Sequence, residues 1–359
     1  MELNSAPKTE EPTVAKPLAK NISFLILIFT SFISSGSLSM FLFTQSWFVI
    51  SELHFSAGLG FIFIASSIPR ILLMLVGGVL ADRIKKTSLI LFSMLTEVLL
   101  VGTVLVCLLA GIHSIWIFVL AALFFGISDA IQIPARTSLL PALVHPSQLT
   151  RANSSYSLIS QISMIAGAFS AGLLLKHVSY SFTLSIIGLS LLAASLLIPL
   201  ISLPGRYAAS EDSRADFWES LKEGFSYIRK SAFLKALLMF AIFINFFLTG
   251  PVTIGIPIIA NKLFSGSAMA FSYLEGAFII GMLAGSFIMG VWNLQKARGR
   301  FVTFCIGMQG IFYLFFSFSK TLFLLLFFIS LMGLMISFVN TPLQALVQHK
   351  VDSNMLGRG

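Results

Sequence analysis

Stretches of about 20 apolar residues recur from one end of this sequence to the other, and that pattern leaves one environment in which the chain can fold. Wound as an α-helix, a run of that length crosses the hydrocarbon of a bilayer. Water is absent there, so every backbone N–H and C=O must be satisfied within the segment, and the helix does that. Ten such segments are expected, at residues 22–50, 58–81, 88–110, 114–133, 154–175, 179–203, 233–260, 268–293, 301–318 and 321–346. Charge is scarce to match. Only 10% of the 359 residues are Asp, Glu, Lys or Arg and 57% are hydrophobic, whereas a soluble domain carries about 25% charge. The fold class is therefore an all-α membrane protein. The first run, after Asn21, is too long for a signal-peptide core and no cleavage pattern follows it, so it reads as a retained membrane helix.

A net charge of +9 would suit nucleic acid, but the bases are placed for topology instead. With the N-terminus taken as cytoplasmic, 19 of the 23 Lys and Arg fall in cytoplasmic segments. Lys176, Lys262 and Lys320 fall outside, and Arg70 lies within a segment. That asymmetry orients the chain with its N-terminus inside. No phosphate-binding loop, dinucleotide fingerprint or H-E-x-x-H is present, which points away from an ATP-driven pump and from an enzyme. The two cysteines, Cys107 and Cys305, sit inside apolar runs and the five histidines show no ligand spacing, so neither a metal nor a cofactor is expected.

Four regions follow. Residues 1–20 are a polar, proline-bearing tail, expected to be disordered. Residues 21–203 hold six segments, 204–232 form a linker, and 233–359 hold four more. In the linker Phe217, Leu221, Phe225 and Ile228 recur on one helical face, with acids early and Arg229 and Lys230 late. This predicts an amphipathic helix at the cytoplasmic interface. The two halves echo each other. Pro134-Ala135-Arg136 follows segment four, and Thr341-Pro342 ends segment ten. The bases Lys296, Arg298 and Arg300 follow segment eight as Arg83, Lys85 and Lys86 follow segment two. Internal repeats of this kind point to secondary transporters.

Between segments two and three, Gly78, Leu80, Ala81, Asp82, Arg83 and Lys86 match the pattern G-x-L-A-D-R-x-G-R-K, with Lys85 in place of its second glycine. On that motif, its position and the repeat, the chain resembles the major facilitator superfamily. Ser67-Ile68-Pro69-Arg70, the Pro134-Ala135-Arg136 stretch and Leu149-Thr150-Arg151-Ala152-Asn153-Ser154 resemble the branch that contains enterobactin exporters and macrolide-efflux proteins. The resemblance implies a major-facilitator-type bundle. The family has twelve helices, so it implies an N-terminal six-helix half plus an incomplete second half, and a product that is truncated or a fragment of something longer. It also implies a cytoplasmic gate built on Gly78, Asp82, Arg83, Lys86 and Arg136, with Asp82 expected to pair with Arg136 or Arg83. Gly167 and Gly172 fit the family's antiporter motif in segment five, where small residues let helices approach closely.

Ionisable groups inside apolar segments are costly and so are candidate sites. Arg70, Glu97, Asp129 and Glu275 are those in this chain. Glu97 and Glu275 are the candidates to carry protons. Asp129 is expected to pair with Arg136, Arg83 or Lys86. Arg70, with the neutral polar residues Gln45, Gln161 and Asn245, is a candidate to line a substrate cavity. The expected function is secondary transport. It would be proton-coupled export of a small amphipathic molecule, a siderophore or drug, across a bacterial cytoplasmic membrane by alternating access. The expected partners are the substrate, protons and the lipid bilayer, without nucleic acid. Uptake, lipid flipping and an inactive truncated product remain open at this point.

Overall fold

The computed structural model describes residues 17–145, 148–202, 229, 231–264, 266–291 and 298–350. The amphipathic linker helix expected over 204–232 and the tail expected over 1–20 lie almost wholly outside them. Among the described residues the structure is helical, with ten helices long and apolar enough to cross a membrane. The protein is a multi-pass membrane protein.

The first six helices are α1 (Ile22–Ser51), α2 (Gly58–Arg83), α3 (Lys86–Leu109), α4 (Ile115–Leu143), α5 (Leu149–His177) and α6 (Tyr180–Leu197). The seventh span has two α-helical parts, α7a (Ala232–Ile244) and α7b (Gly250–Leu263), joined by a π-helical turn, Asn245–Thr249. Then come α8 (Ala268–Val291), α9 (Arg298–Phe318) and α10 (Leu322–Lys350). Several starts are capped by side chains that satisfy otherwise orphaned N–H groups. Asn21 accepts from the Phe24 amide at 3.1 Å, and Ser179 from the Phe182 amide at 3.2 Å.

α4 differs from expectation. It was expected to end near residue 133, yet it continues to Leu143 with Pro134 and Pro141 inside it. A proline removes the N–H that would bond the carbonyl four residues back, which here is that of Ala130. That carbonyl faces the Cα of Gly77 on α2, where any Cβ would collide with it. Glycine on the neighbouring helix thus makes room for the freed carbonyl, and α4 runs on through its proline.

Close backbone approach recurs throughout. Inside lipid, helices gain little from hiding apolar side chains, because the lipid tails are apolar too. Contact comes from dispersion and from small residues. On the α2–α4 contact Gly126 meets the Ser66 carbonyl; on the α8–α10 contact Gly281 meets Ser330 and Gly333 meets Phe278. On the α1–α5 contact Gly167 meets the Gly36 carbonyl. The same device therefore joins α2 to α4 and α8 to α10.

Two large buried clusters divide the bundle along its height. Near the N-terminal side, Phe24, Leu27, Ile90, Met94 and Leu139 pack with residues between Leu18 and Ile201 alone. On the opposite side, Phe43, Trp47, Phe118 and Ile187 share one cluster with Val252, Phe271, Leu274 and Leu325 from the later helices. Phe43 stacks on Phe271 with ring centroids 4.1 Å apart, and Trp47 on the same ring at 5.8 Å. Beside them the Ser272 hydroxyl of α8 donates to the Ala168 carbonyl of α5 at 2.9 Å. The first six helices and the later ones meet on the side away from the N-terminus.

Candidate functional site

Arg70, Glu97, Asp129 and Arg136 lie in the first six helices, and Glu275 lies in α8. On α4, Ser128, Gln132 and Arg136 are spaced i, i+4 and i+8, which lines them up on one face. That face meets α3 and α1. Glu97 of α3 is 2% exposed. Its Oε1 accepts from Gln132 Nε2 at 2.9 Å and lies 3.4 Å from the Ser128 hydroxyl. The same hydroxyl is 3.0 Å from the Ser93 carbonyl, one turn before Glu97. One hydroxyl hydrogen serves one acceptor at a time, so Ser128 can turn between carbonyl and carboxylate. Every hydrogen bond that Glu97 receives comes from a neutral donor.

One helical turn on, Arg136 is also buried. Its two terminal nitrogens donate to Ser31 and Ser34 of α1, at 3.3 and 3.0 Å, and its Nε has no partner among the described residues. Its charge lies within electrostatic reach of both Glu97 and Asp129. Asp129 pairs with neither Arg136, Arg83 nor Lys86. It meets Arg70 of α2 at 3.8 Å. The reason is geometric. The Ser66–Gly126 and Gly77–Ala130 approaches bracket this pair and press α2 onto α4 there, while Arg136 is drawn to the serines of α1. Arg70 and Asp129 thus pair inside the membrane, while Glu97 and Arg136 are each held by neutral side chains.

The other candidates are dispersed. Gly78 is buried in α2, whereas Asp82 is exposed in that helix's last turn and forms no ion pair among the described residues. Arg83 and Lys86 are half-buried on either side of the short α2–α3 turn. The Asp82–Arg136 pair is not formed, because the Arg136 side chain is held by Ser31 and Ser34. Gln45 is buried in α1 and its Oε1 has no partner among the described residues. Gln161 donates to the Ser157 carbonyl of its own helix at 3.3 Å. Asn245 is exposed at the start of the π turn. Glu275 sits in α8 with Oε2 unpartnered among the described residues, and no hydrogen bond or ion pair joins it to Glu97. Gly167 brings α5 against α1, while Gly172 brings α5 against Ser272 of α8. Ser31, Ser34, Ser128 and Gln132 were not singled out from the sequence. The stripe on α4 carried a signal for two of them.

Among the described residues no three His, Cys, Asp or Glu side chains are placed to hold a metal ion. The arrangement offers a carboxylate that can take up or release a proton without breaking an ion pair, near the buried Arg136.

Comparison with known proteins adds the family context. The family model described as Major Facilitator Superfamily matches residues 27–359. The chain is 26% identical over 340 residues to the MFS-type transporter YvqJ of Bacillus subtilis, covering 93% of this chain and 79% of that one. It is 26% identical over 291 residues to macrolide efflux protein A of Streptococcus pyogenes, covering 78% and 70%. In fold it is similar to the crystal structure of the nucleoside transporter NupG, with a TM-score of 0.70 at 14% identity over 94% of this chain and 85% of that one.

Proposed function

The chain belongs to the Major Facilitator Superfamily, and from that premise we propose that it exports a small amphipathic molecule, a siderophore or drug, from a bacterial cell in exchange for protons. The observation that carries the reading is Glu97, a buried carboxylate held only by neutral donors. Transport of this kind needs a group that changes charge in the membrane while the fold persists. An acid locked to a guanidinium serves poorly, since protonation would leave a buried base uncompensated. Glu97 has no such partner within hydrogen-bond distance, and Gln132 and Ser128 can accommodate either protonation state. Glu275, with a free buried oxygen, is the proposed second carrier.

Alternation follows from the two buried clusters. The Phe43–Phe271–Trp47 stack and the Ser272–Ala168 hydrogen bond close the side away from the N-terminus. Parting them and joining the N-terminal side would expose the interior to the opposite face. The distribution of Lys and Arg supports an N-terminus in the cytoplasm of a bacterium with the seam on the outer side. The efflux activity named for the macrolide relative supports export. Gln45, Arg70, Gln161 and Asn245 are the proposed contacts for polar parts of the cargo. Gly78, Asp82, Arg83, Lys86 and Arg136 are the proposed cytoplasmic gate.

The test is retention of a labelled macrolide or siderophore in a strain stripped of its main efflux pumps. The chain is expected to lower retention, and a protonophore to restore it. Retention that falls equally with and without the protonophore rules out proton coupling.

A further inference from the structure

A groove of about 520 Å³ opens on the flank of the bundle where α5 meets α8 and α10. Its floor is made of small residues, Ser272, Gly276, Ala277 and Ser330, and its walls include Phe169, Tyr273, Phe323 and Phe327. Gly276 opens directly onto the space, since a Cβ built there would meet nothing within 4 Å. The groove spans the first half of α8, the first turns of α10 and the later half of α5, so it lies at membrane depth on the side opposite the N-terminus.

The chemistry of the lining narrows what can enter. The hydroxyls of the floor are already used. Ser272 donates to Ala168 at 2.9 Å and Ser330 to the Leu326 carbonyl of its own helix at 2.8 Å. The walls are exposed and, but for the Tyr273 hydroxyl, apolar, Phe323 being 76% exposed and Phe327 50%. A polar ligand would lose its water and find few donors in return, which costs free energy. At this depth the surrounding medium is hydrocarbon. We propose that the groove is a binding site for one acyl chain of a bilayer phospholipid, drawn from the leaflet on the side away from the N-terminus. The chain touches α5 on one side and α8 and α10 on the other, so it bridges the seam where the first six helices meet the later ones.

The site can be tested without knowing the cargo. The full chain is reconstituted in liposomes with phosphatidylcholine that carries a diazirine in the middle of one acyl chain, photolysed, and mapped by peptide mass spectrometry. Labelling of Phe169, Tyr273 and Phe327 is expected to exceed several-fold that of Phe92 and Leu99, which lie on α3, are apolar and are more exposed. Gly276→Phe, whose ring fills the groove, is expected to bring the first set down to the level of the second. Ala277→Phe repeats the block from the neighbouring position should Gly276→Phe misfold. Equal labelling of the two faces overturns the proposal. So does labelling that neither variant lowers, or adducts joining two copies of the chain in place of lipid.

Discussion

At Glu97 the identity of the donors decides what each substitution does. Glu97→Gln keeps an acceptor for Gln132 and Ser128 but cannot ionise. It is expected to leave the thermal unfolding temperature in detergent nearly unchanged while abolishing the protonophore-sensitive part of efflux. Glu97→Ala removes the acceptor as well. Leaving Gln132 Nε2 buried without a partner is expected to cost about 1–3 kcal/mol, read as a lower unfolding temperature. The pair of variants separates a chemical role from a structural one. The acid itself was legible in the sequence, because a carboxylate in an apolar run is conspicuous. Its partners were half legible. Ser128, Gln132 and Arg136 repeat every four residues, which a helical projection detects, but Ser31 and Ser34 are two serines among many in α1. The Arg70–Asp129 pair was not legible, because it depends on how closely α2 and α4 approach.

That approach belongs to the helix pair. Gly77→Leu forces a side chain into the Ala130 carbonyl, which is backbone and cannot swing aside. Overpacking of this sort is expected to cost about 1–3 kcal/mol. It should also part Arg70 from Asp129, so activity should fall further than stability alone explains. Gly102→Ala is the control, since nothing lies within 4 Å of the added methyl, and it is expected to be neutral or stabilising by up to about 1 kcal/mol. Thermal unfolding and efflux of both variants, measured side by side, check the contrast. The ten spans were legible from hydropathy, and most of their starts fall within a few residues of expectation. The end of α4 was not. Read locally, Pro134 is a stop signal, and what overrides it is a glycine 57 positions earlier on another helix. A tertiary contact of that kind leaves no local pattern to read.

For the whole molecule the decisive feature is that the helices of the two sets join on one side of the membrane. Cysteines at Ala168 and Ser272, in a background free of Cys107 and Cys305, lie on the two sides of that join, where the Ser272 hydroxyl reaches the Ala168 carbonyl. Oxidative or bifunctional cross-linking of them is expected to stop efflux, and reduction to restore it. Efflux that continues in the cross-linked protein would show that the join need not part. The seventh span bears on the same assembly in another way. A single deletion inside a regular spanning helix turns everything beyond it by about 100°, which faces lipid-loving side chains inward. The π turn at Asn245–Thr249 already holds one residue more than an α turn, with Gly250 N–H bonded back to the Asn245 carbonyl. Removing Phe246 or Phe247 would let that turn tighten while α7b keeps its bearing toward α1 and α8. The protein therefore carries a built-in site of slack, one place among its spans where the reading frame of the helix can lose a residue and the bundle still assemble.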